Sequence, residues 1–297
     1  MSRIAVVVNP AAGRGRAVDL WQALRGEPGL AGAAVIQAPE PATARAALST
    51  LLERGIDALI VLGGDGTLDL VANVLLASGR GAAVAIGPVP LGTGSDFARG
   101  LKLPEDPKTC LRRILAAQPK PVDALEVKTD DGRRRFAINV VSAGISGLVD
   151  AAVNALVRRN QTAYLLATLG AVRRYRPVPC RIWVDGEDWY EGEILLLAVA
   201  NGTSFGRGMK IAPQARVDDG VADVILVLPV PVWQLPLQLP RLYLGRHLQS
   251  RYVRWRRAGS VRLDPLASMP PFDVDGETVD SAAAQITLLP AALRILA

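Results

Sequence analysis

Short apolar runs alternate with amphipathic segments along roughly the first 120 residues. Apolar runs of about five residues predict buried strands, and apolar residues recurring every three or four positions predict helices. Strands separated by helices favour a parallel sheet, so the pattern predicts an α/β domain. The predicted strands are Ile4–Val8, Ala33–Gln37, Ala58–Leu62 and Ala82–Ile86, and the predicted helices are Ala17–Leu24, Ala42–Arg54, Leu68–Ala77, one ending at Leu101, and Pro107–Ala117.

Beyond Pro121 the pattern changes to strand-like runs that meet at Asp-Gly pairs, with two helical stretches between them. An Asp-Gly pair between alternating runs predicts a β-hairpin. We therefore expect a Rossmann-like parallel-sheet domain over residues 1–121 and an antiparallel, β-sandwich-like domain over residues 122–297. The pairs are Asp131-Gly132, Asp185-Gly186 and Asp275-Gly276, and the helical stretches are Leu148–Arg158 and Ala163–Tyr175.

The amino-acid composition excludes several classes of protein. Half of the residues are hydrophobic, which excludes a disordered chain. His247 is the only histidine, which excludes an H-E-x-x-H zinc site and all but excludes a Ser–His–Asp triad. Cys110 and Cys180 form no C-x-x-C pair, and we predict neither zinc nor disulfides. The first residues lack a signal-peptide pattern, and Val224–Pro240 carries four prolines, so we expect a cytoplasmic protein without a membrane-spanning helix.

Three glycine-containing loops each follow a predicted strand and precede a predicted helix: Asn9–Gly13, Gly63–Thr67 and Pro90–Asp96. Loops at the carboxyl ends of parallel strands are where open α/β sheets bind ligands. Helix N-termini attract anions, and glycines let the backbone approach phosphate oxygens closely. The loops together predict a phosphate site, although each alone is also typical of a structural turn. A Walker A motif is absent from the sequence.

The set of motifs resembles the diacylglycerol kinase catalytic domain family. Gly63–Thr67 resembles that family's GGDGT motif, Asn9–Gly13 its NPxxG loop, and Pro90–Arg99 its PxGTxNDFAR segment. Later segments also resemble the family, in the same order: Val199–Gly202, Gly208–Pro213, Asp218–Gly220 and a DGE at Asp275–Glu277. The motifs cover nearly the whole chain and resemble the soluble bacterial branch of lipid kinases, within the NAD kinase and diacylglycerol kinase superfamily.

The resemblance implies an active cleft between the two domains, where the γ-phosphoryl group of ATP passes to a lipid hydroxyl. It also implies that the C-terminal tail, from about residue 286 and including Ala292–Leu296, packs back on the first domain. Asp65 would order the triphosphate and Mg²⁺ through water, or alternatively cap the turn. The residues expected to bind ATP are Asn9, Pro10, Ala11, Ala12, Gly13, Gly63, Gly64, Asp65, Gly66, Thr67, Gly92 and Thr93.

The DGE motif supplies the candidate catalytic residues. Asp275 is the expected general base that takes the proton from the acceptor hydroxyl, and Glu277 is an assisting carboxylate. Residues two apart in an extended strand share a face, so both carboxylates could point the same way. The alternative is an ordinary turn, because Asp185-Gly186-Glu187 has the same sequence and no assigned role.

A Mg²⁺ site is also implied by the resemblance. Its ligands would be Asp219 and the backbone carbonyls of Arg216 and Val221, with Asp123 joined through water. Carboxylate, carbonyl and water oxygens suit a hard cation. The alternative is that Asp218-Asp219-Gly220 is only a turn.

Five positions depart from the family pattern. Ser95 stands where the family usually has Asn, Asp69 where it has Asn or His, Leu70 where it has Glu, Arg207 where it has Gly, and Ile145 where it often has Phe. None of these departures removes the GGDGT or DGE motif, but they leave the choice of substrate open.

The stretch Arg241–Arg262 contains seven arginines and no acidic residue, with aromatic residues interleaved. With a net charge of +6, this stretch predicts peripheral contact with an anionic membrane at its inner face, or alternatively a solvated helix face. Charge alone would also allow nucleic acid, but the glycine loops do not need it, so no nucleic-acid partner is predicted. The sequence leaves open whether the chain forms a homodimer.

Our leading hypothesis is an ATP- and Mg²⁺-dependent kinase of diacylglycerol or a related lipid. The first alternative is a kinase of a soluble acceptor, because NAD kinases and phosphofructokinases also carry GGDG loops. The second is a non-catalytic nucleotide- or lipid-binding protein. The DGE and the Asn-Gly motif resemble the lipid branch more closely than either alternative.

Overall fold

The computed structural model describes residues 3–92, 94–154, 170–171, 174–206 and 208–297. The chain divides into two compact units. Unit 1 comprises Met1–Asp123 and Ala291–Ala297, and unit 2 comprises Ala124–Pro290.

Unit 1 contains a parallel sheet whose strands lie in the order β2-β1-β3-β4. Every residue of β3 is buried, as is typical of a strand that is covered on both faces. Near the C-terminus, Arg294 and Ile295 continue the sheet by pairing in parallel with Ala85 and Ile86 of β4. The strands are β1 (Ile4–Val8), β2 (Ala34–Gln37), β3 (Ala58–Gly63) and β4 (Ala85–Pro90).

Five α-helices of unit 1 follow the apolar spacing of the sequence. The core joins Val6, Ile60 and Leu62 of the sheet to Trp21 and Leu111 of the helices. The fifth helix starts with Pro107 after Asp106, whose carboxylate accepts a hydrogen bond of 2.8 Å from the amide of Thr109, an N-cap arrangement. The helices are α1 (Arg16–Leu24), α2 (Pro41–Glu53), α3 (Asp65–Ala77), α4 (Asp96–Gly100) and α5 (Pro107–Ala116).

The prediction for β4 was wrong by several residues. The strand runs over Ala85–Pro90 and not Ala82–Ile86, so it includes Pro88 and Pro90. The amides of Ala85 and Leu91 donate to the carbonyls of Asp57 and Gly63, on the β3 side. Alternate residues of a parallel strand face the same neighbour, so the nitrogens of Pro88 and Pro90 point away from β3. The two missing N–H groups therefore lie on the other side of β4, where pairing with the C-terminal segment has already ended at Ile86. Sequence reasoning ended the strand too early because proline usually interrupts a sheet.

Unit 2 is built from antiparallel strands in two groups that share one hydrophobic core. One sheet has the order β12-β11-β10-β7-β14-β15, and the other group pairs β16-β13-β8-β9 together with the β5–β6 hairpin. The strands are β5 (Lys120–Thr129), β6 (Arg134–Ala137), β7 (Val140–Gly144), β8 (Val178–Val184), β9 (Glu187–Ile194), β10 (Leu196–Ala200), β11 (Ala222–Val227), β12 (Val253–Ala258), β13 (Ser260–Pro265), β14 (Phe272–Val274), β15 (Glu277–Val279) and β16 (Ala284–Ile295).

The predicted fold class is confirmed, with a parallel-sheet N-terminal domain and an antiparallel C-terminal domain. Each Asp-Gly pair lies between two paired strands: β5 with β6, β8 with β9, and β14 with β15. Asp185 and Asp275 both have φ of 53°, and the glycine after each is also left-handed, as a type I′ hairpin turn requires.

Two α-helices of unit 2 can be given bounds, α6 (Ile145–Asn154) and α7 (Leu235–Tyr243). The helix predicted over Leu148–Arg158 thus begins three residues earlier, and its end lies outside the described residues. Most of the stretch predicted as helical over Ala163–Tyr175 also lies outside them. None of the helices in the described part of the chain is both long and apolar enough to cross a membrane.

Candidate active site

The Asn9–Gly13 loop leaves the carboxyl end of β1 and is fixed by one side chain. Asn9 accepts a hydrogen bond of 3.0 Å from the amide of Ala11 through Oδ1, which closes the turn. Its Nδ2 donates to Thr67 Oγ1 at 3.0 Å, in the first turn of the helix that follows β3. The structure therefore brings Asn9 and Thr67 together, as expected for two loops at the same edge of a parallel sheet.

The GGDGT motif forms the end of β3 and the first turn of α3. The helix begins at Asp65 and not at Leu68, so the predicted start was three residues late. The motif was interpreted as a loop because its glycines are poor helix formers. A Cβ on Gly63 would lie 2.5 Å from the Cβ and Oγ1 of Thr67, so this position accepts glycine only. The N-terminus of α3, with its unpaired amide groups, thus lies directly within the motif.

Gly92 lets the Pro90–Asp96 loop pack closely against the Gly63–Thr67 motif. A Cβ on Gly92 would lie 2.9 Å from the Cα of Gly64, and the amide of Leu91 donates to the carbonyl of Gly63 at 2.8 Å. Two backbones that approach this closely leave no room for a side chain. Thr93, the other residue predicted in this loop to bind ATP, lies outside the described residues.

Asp65 is half-buried and faces another carboxylate. The amide of Asp96 donates to Asp65 Oδ2 at 3.3 Å. Burial and the nearby negative charge of Asp96 raise the pKa of Asp65 above its ordinary value. Asp96 itself is buried and forms an ion pair with Arg99. Sequence reasoning missed Asp96 as a site residue, although the Asp-Phe-Ala-Arg run already placed an acid three residues before a base on one helix.

The structure shows the surroundings of two unit 1 residues that depart from the family pattern, Ser95 and Leu70. Ser95 has a φ of 50°, a left-handed conformation that asparagine adopts more readily than serine, and its hydroxyl donates to the carbonyl of Gly92 at 3.2 Å. Leu70 is buried within α3, so this departure places an apolar side chain in the core.

Asp275 of unit 2 occupies the turn between β14 and β15, and its carboxylate accepts hydrogen bonds from consecutive backbone amides. Oδ2 accepts from Ile138 at 2.6 Å, Oδ1 accepts from Val140 at 2.8 Å, and the amide of Asn139 contacts both oxygens at 3.2 Å. Three successive N–H groups therefore hold the carboxylate in one orientation. We call Ile138–Val140 the amide clamp.

Asn201 and Gly202, the Asn-Gly motif, hold the amide clamp in place by donating hydrogen bonds to its carbonyl groups. Asn201 is fully buried and donates from Nδ2 to the carbonyl of Ile138 at 2.9 Å. The amides of Asn201 and Gly202 both donate to the carbonyl of Asn139, at 2.8 and 2.9 Å. A Cβ on Gly202 would collide with Asn139 Oδ1, which explains the glycine. The sequence singled out Asn201 and Gly202 but missed Asn139, which no motif marked.

Opposing effects act on the acidity of Asp275. Burial has the largest effect and raises its pKa, the hydrogen bonds of the amide clamp lower it, and the charge of Asp273 raises it; together these effects raise the pKa of Asp275 to about 7. Asp273 is itself buried, where Ser142 Oγ donates to it at 3.2 Å and the amide of Gly276 donates at 2.7 Å. A carboxyl group with a pKa near neutrality can accept a proton from a substrate and release it again.

Asp275 and Glu277 do not share one strand face, so that prediction is wrong. Asp275 lies in the turn with a left-handed φ, and only Glu277 lies in a strand, where it is exposed. The alternating directions of an extended strand therefore do not apply to this pair. The role of Glu277 as an assisting carboxylate stays a prediction.

The other DGE sequence adopts a similar turn. Asp185 also has a φ of 53°, and its Oδ1 accepts from the amides of Gly259 and Ser260 at 2.9 and 2.8 Å. Bracing a hairpin through backbone amides is thus a structural role that both aspartates have. Asp275 differs in its position beside Asp273, a second carboxylate, which is buried.

Asp219 has the oxygen atoms that a cation site would need. One oxygen contacts Arg257 Nη1 at 3.6 Å, while Oδ1 is buried without a hydrogen-bond partner in the described part of the chain. Oδ2 of the neighbouring Asp223 is likewise buried and unpartnered there, and burial raises the pKa of Asp223. These oxygens fit a hard cation such as Mg²⁺. Asp223 was missed because it lies inside an apolar strand pattern.

The remaining members of the predicted Mg²⁺ set lie as follows. Arg216 forms an ion pair with Asp218 at 3.3 Å, and Asp123, in unit 1, accepts from the amide of Ala291 at 2.7 Å. The described residues contain no cluster of three or more His, Cys, Asp or Glu side chains suited to a metal. The predicted set relies instead on backbone carbonyls, including that of Val221, and stays a prediction. Arg207 lies outside the described residues.

Comparison with known proteins assigns both halves of the chain. Residues 3–127 match the diacylglycerol kinase catalytic domain, and residues 139–297 match the YegS C-terminal NAD kinase β-sandwich-like domain. The chain is 27% identical over 302 residues to a diacylglycerol kinase of Mycobacterium tuberculosis, covering 100% of this chain and 95% of that protein. It is 32% identical over 258 residues to a Pseudomonas aeruginosa protein named "probable lipid kinase YegS-like", covering 86% and 82%.

Solved structures show the same fold. A diacylglycerol kinase from Bacillus anthracis aligns with a TM-score of 0.75 at 22% identity, covering 99% of this chain and 96% of that one. An NAD kinase from Archaeoglobus fulgidus in complex with ATP aligns with a TM-score of 0.55 at 15% identity, covering 99% and 93%. The family resemblance predicted from the motifs is confirmed: this chain belongs to the diacylglycerol kinase family, in its YegS-like branch, and is a lipid kinase.

Proposed function

We propose that the protein transfers the γ-phosphoryl group of ATP to a hydroxyl of diacylglycerol or a related lipid, with Mg²⁺. The observation that carries this proposal is Asp275, a carboxylate oriented by three backbone amides and with a pKa raised to about 7. Such a group can take the proton of an alcohol as the alcohol attacks phosphorus. Relatives named diacylglycerol kinase and YegS-like lipid kinase support the lipid as acceptor.

Unit 1 would bind the nucleotide through its three loops. The N-terminus of α3 offers amide groups and a positive dipole end to the phosphates, and Gly63, Gly64 and Gly92 keep the backbones close together. Phosphoryl transfer depends mainly on positioning and on neutralising charge, so a rigid loop edge suits it. Asn9 and Thr67 fix that edge through their mutual hydrogen bond.

Mg²⁺ would neutralise negative charge on the phosphates. Asp65 is the unit 1 carboxylate that would face it, and the repulsion between Asp65 and Asp96 favours a nearby cation. A second Mg²⁺ would be held in unit 2 by Asp219, with Asp223 beside it. This second ion would stabilise the local fold.

A direct assay tests the activity. The purified protein is incubated with Mg²⁺ and ATP labelled in the γ-phosphate, together with a total lipid extract, diacylglycerol, NAD or a sugar phosphate. We expect label in a phospholipid that mass spectrometry identifies, and none in the two soluble acceptors. Phosphorylation of NAD or the sugar phosphate without a lipid product would overturn the proposal in favour of a soluble acceptor.

The pKa of Asp275 predicts the pH dependence of the reaction. A base is active when deprotonated, so kcat/KM for the lipid should rise with pH, pass its midpoint near pH 7 and level off above it. One unit below the midpoint, activity should be roughly tenfold lower than the plateau. Initial rates between pH 5.5 and 9 measure this profile. The Asp185→Asn variant should give the same midpoint. A reaction rate that does not fall between the plateau and pH 5.5 would contradict Asp275 as the base.

We further propose that α7 and its flanking residues contact an anionic membrane. Trp233, Leu237 and Leu244 expose 75%, 64% and 63% of their surface, an unusual amount for large apolar side chains. Arg241 and Arg246 are exposed in the same segment and would approach lipid phosphates. Interfacial helices combine an apolar face with such cations.

The structure changes the interpretation of the rest of Arg241–Arg262. The alternative of a solvated helix face is wrong for its second half, because Val253–Ala258 is the edge strand β12. Its arginines contact protein groups: Arg254 lies over the Tyr190 ring, Arg256 pairs with Glu187, and Arg257 pairs with Asp219. Charged side chains on an edge strand also discourage pairing with other chains.

A vesicle experiment tests the membrane contact. The double variant Trp233→Ser/Leu237→Ser should bind phosphatidylglycerol-containing vesicles at least about tenfold more weakly in co-sedimentation, because two large side chains no longer enter the lipid. Leu266→Ser, which changes another exposed leucine, is the matched control and should bind as the unchanged protein does. Equal binding of all three proteins, or equal binding to neutral phosphatidylcholine, would contradict this contact.

A further inference from the structure

Two carboxylates of unit 2 are bound by residues of one strand. Asp275 accepts from the amide of Val140 at 2.8 Å, and Asp273 accepts from the hydroxyl of Ser142 at 3.2 Å. Val140 and Ser142 both belong to β7, and residues two apart on a strand are separated by about 7 Å. Asp273 is 4% exposed and Asp275 is half-buried. Negative charges this close together and largely removed from water repel each other.

The second hairpin with the same turn sequence provides a comparison within the chain. Val274–Glu277 and Val184–Glu187 both read Val-Asp-Gly-Glu. In both hairpins the valine pairs with the glutamate, and the aspartate has a φ of 53°. The residue before the valine differs, because it is Asp273 in one hairpin and Trp183 in the other. The turn therefore forms without a carboxylate at this position, and the geometry of the hairpin does not account for Asp273.

Burial of Asp273 is unfavourable, because a buried carboxylate loses its hydration. Its oxygens accept from the hydroxyl of Ser142 and, at 2.7 Å, from the amide of Gly276. Donors of this kind favour the ionised form of a carboxyl group. Since the hairpin does not require a carboxylate here, the charge must act on another group, and Asp275 lies two residues away.

The amide clamp shows why Asp275 needs a neighbouring charge. N–H groups stabilise an ionised carboxylate, so the clamp orients Asp275 and at the same time makes it a weaker base. Burial of Asp275 opposes this effect most strongly, and the charge of Asp273 adds to the opposition, so that the pKa of Asp275 is raised to about 7. A carboxylate held by three amides would otherwise be a poor acceptor for the proton of an alcohol.

We propose that Asp273 is a positioning residue for phosphoryl transfer, whose buried negative charge makes Asp275 a stronger base. This role rests on the proposed function. In that reaction the lipid hydroxyl oxygen bonds to the γ-phosphorus, the bond from this phosphorus to the β–γ bridging oxygen breaks, and ADP leaves. The hydroxyl proton passes to Asp275, and Asp273 acts only through Asp275.

Other charged residues lie on the elements that contact β14, which include α6, β6, β7 and β15. They are Asp150 of α6, Arg134 and Arg135 of β6, and Glu277 of β15. Glu277 is exposed and Arg134 pairs with Glu126, so water or a partner weakens the effect of both charges on Asp275. All four residues stay in place in the variants below, so a change in the titration of Asp275 measures the charge at position 273.

Asp273→Asn removes the charge and keeps the shape of the side chain. Its amide oxygen can still accept from Gly276, and its NH₂ group can donate to the Ser142 hydroxyl, which also accepts. We expect the midpoint of kcat/KM against pH to fall from about 7 by at least about one unit, a tenfold change in the acid dissociation constant. A weaker base also accepts the proton less readily, so kcat on the plateau should fall about three- to tenfold.

Two further variants separate this charge from other effects. Asp188→Asn removes an exposed negative charge from the other hairpin and should leave the midpoint near 7. Asp273→Ser also lacks the charge, and its hydroxyl can accept from Gly276, so it decides the question if Asp273→Asn does not fold. If Asp273 only held its turn, Asp273→Asn would keep the midpoint of the unchanged protein, and that result would overturn the proposal. An equal shift in Asp188→Asn would overturn it as well.

Carbon NMR follows Asp275 without any turnover. In protein labelled with ¹³C in the aspartate carboxyl groups, the Asp275 signal is the one that is missing from Asp275→Asn and present in Asp273→Asn. We expect this signal to titrate near pH 7 in the unchanged protein and at least about one unit lower in Asp273→Asn.

The two measurements together separate the proposal from the proposed function. An unchanged titration in Asp273→Asn, or a shifted titration with an unchanged pH profile of kcat/KM, would overturn the role of Asp273. If no lipid is phosphorylated, the proposed function fails, while the carbon titration still shows whether the charge of Asp273 acts on Asp275.

Discussion

Replacing Asp275 by asparagine is expected to lower the rate of lipid phosphorylation by at least about 10²-fold, because an amide cannot accept the proton of the attacking hydroxyl. General-base groups contribute about 10² to 10⁴ to enzyme rates, which sets the size of the effect. The loss should lie in kcat, with the KM for ATP little changed, since the nucleotide loops belong to unit 1. Steady-state kinetics with saturating Mg²⁺ and ATP measure both parameters.

The amide clamp means that Asp275→Asn also alters stability. Both carboxylate oxygens accept from backbone amides, and an NH₂ group in place of one oxygen would face a donor. We expect the free energy of unfolding to fall by about 1–3 kcal/mol. Asp185→Asn is the matched control, because Asp185 lies in the same DGE sequence and also accepts from two backbone amides.

The comparison of the two variants decides the role of Asp275. Both should melt at lower temperature, while only Asp275→Asn should lose turnover. Similar turnover in the two variants, after correction for the folded fraction, would show that Asp275 only stabilises its hairpin and is not the base.

The fold could be predicted well where short-range chemistry decides it. The Asp-Gly pairs predicted the three hairpins, and at Asp185-Gly186 and Asp275-Gly276 both residues are left-handed, a combination that few other residues adopt. At Asp131-Gly132 only the glycine is left-handed. The β4 strand shows the limit, since proline at 88 and 90 is tolerated only because pairing on one side of the strand ends at Ile86. That ending depends on residues near the C-terminus, and no local pattern contains it.

The site could be predicted only where a motif marked it. Asn9, Gly63, Thr67 and Gly92 were expected near one another, and the contacts between their loops agree. Asn139 and Asp223 were missed because each acts through a partner distant in sequence: Asn139 through Asp275, and Asp223 through Trp255, whose indole donates to it at 2.5 Å. Such contacts follow from strand pairing, which the sequence pattern alone does not specify.

Gly66→Ala is expected to raise the KM for ATP at least about tenfold without destabilising the protein. Gly66 is exposed in the first turn of α3, and a Cβ there would have no protein atom within 4 Å. Alanine favours a helix more than glycine by about 1 kcal/mol, so the melting temperature should hold or rise. A phosphate resting against the backbone at this turn would, however, collide with the new methyl group.

Two glycine controls separate contact with the nucleotide from folding. Gly63→Ala should lower the melting temperature, because its Cβ would lie 2.5 Å from Thr67. Gly26→Ala, in another exposed and open position of unit 1, should change neither stability nor the KM for ATP. Since only a bound nucleotide can make the methyl at position 66 unfavourable, a KM for ATP in Gly66→Ala equal to that of Gly26→Ala would place the triphosphate away from the N-terminus of α3.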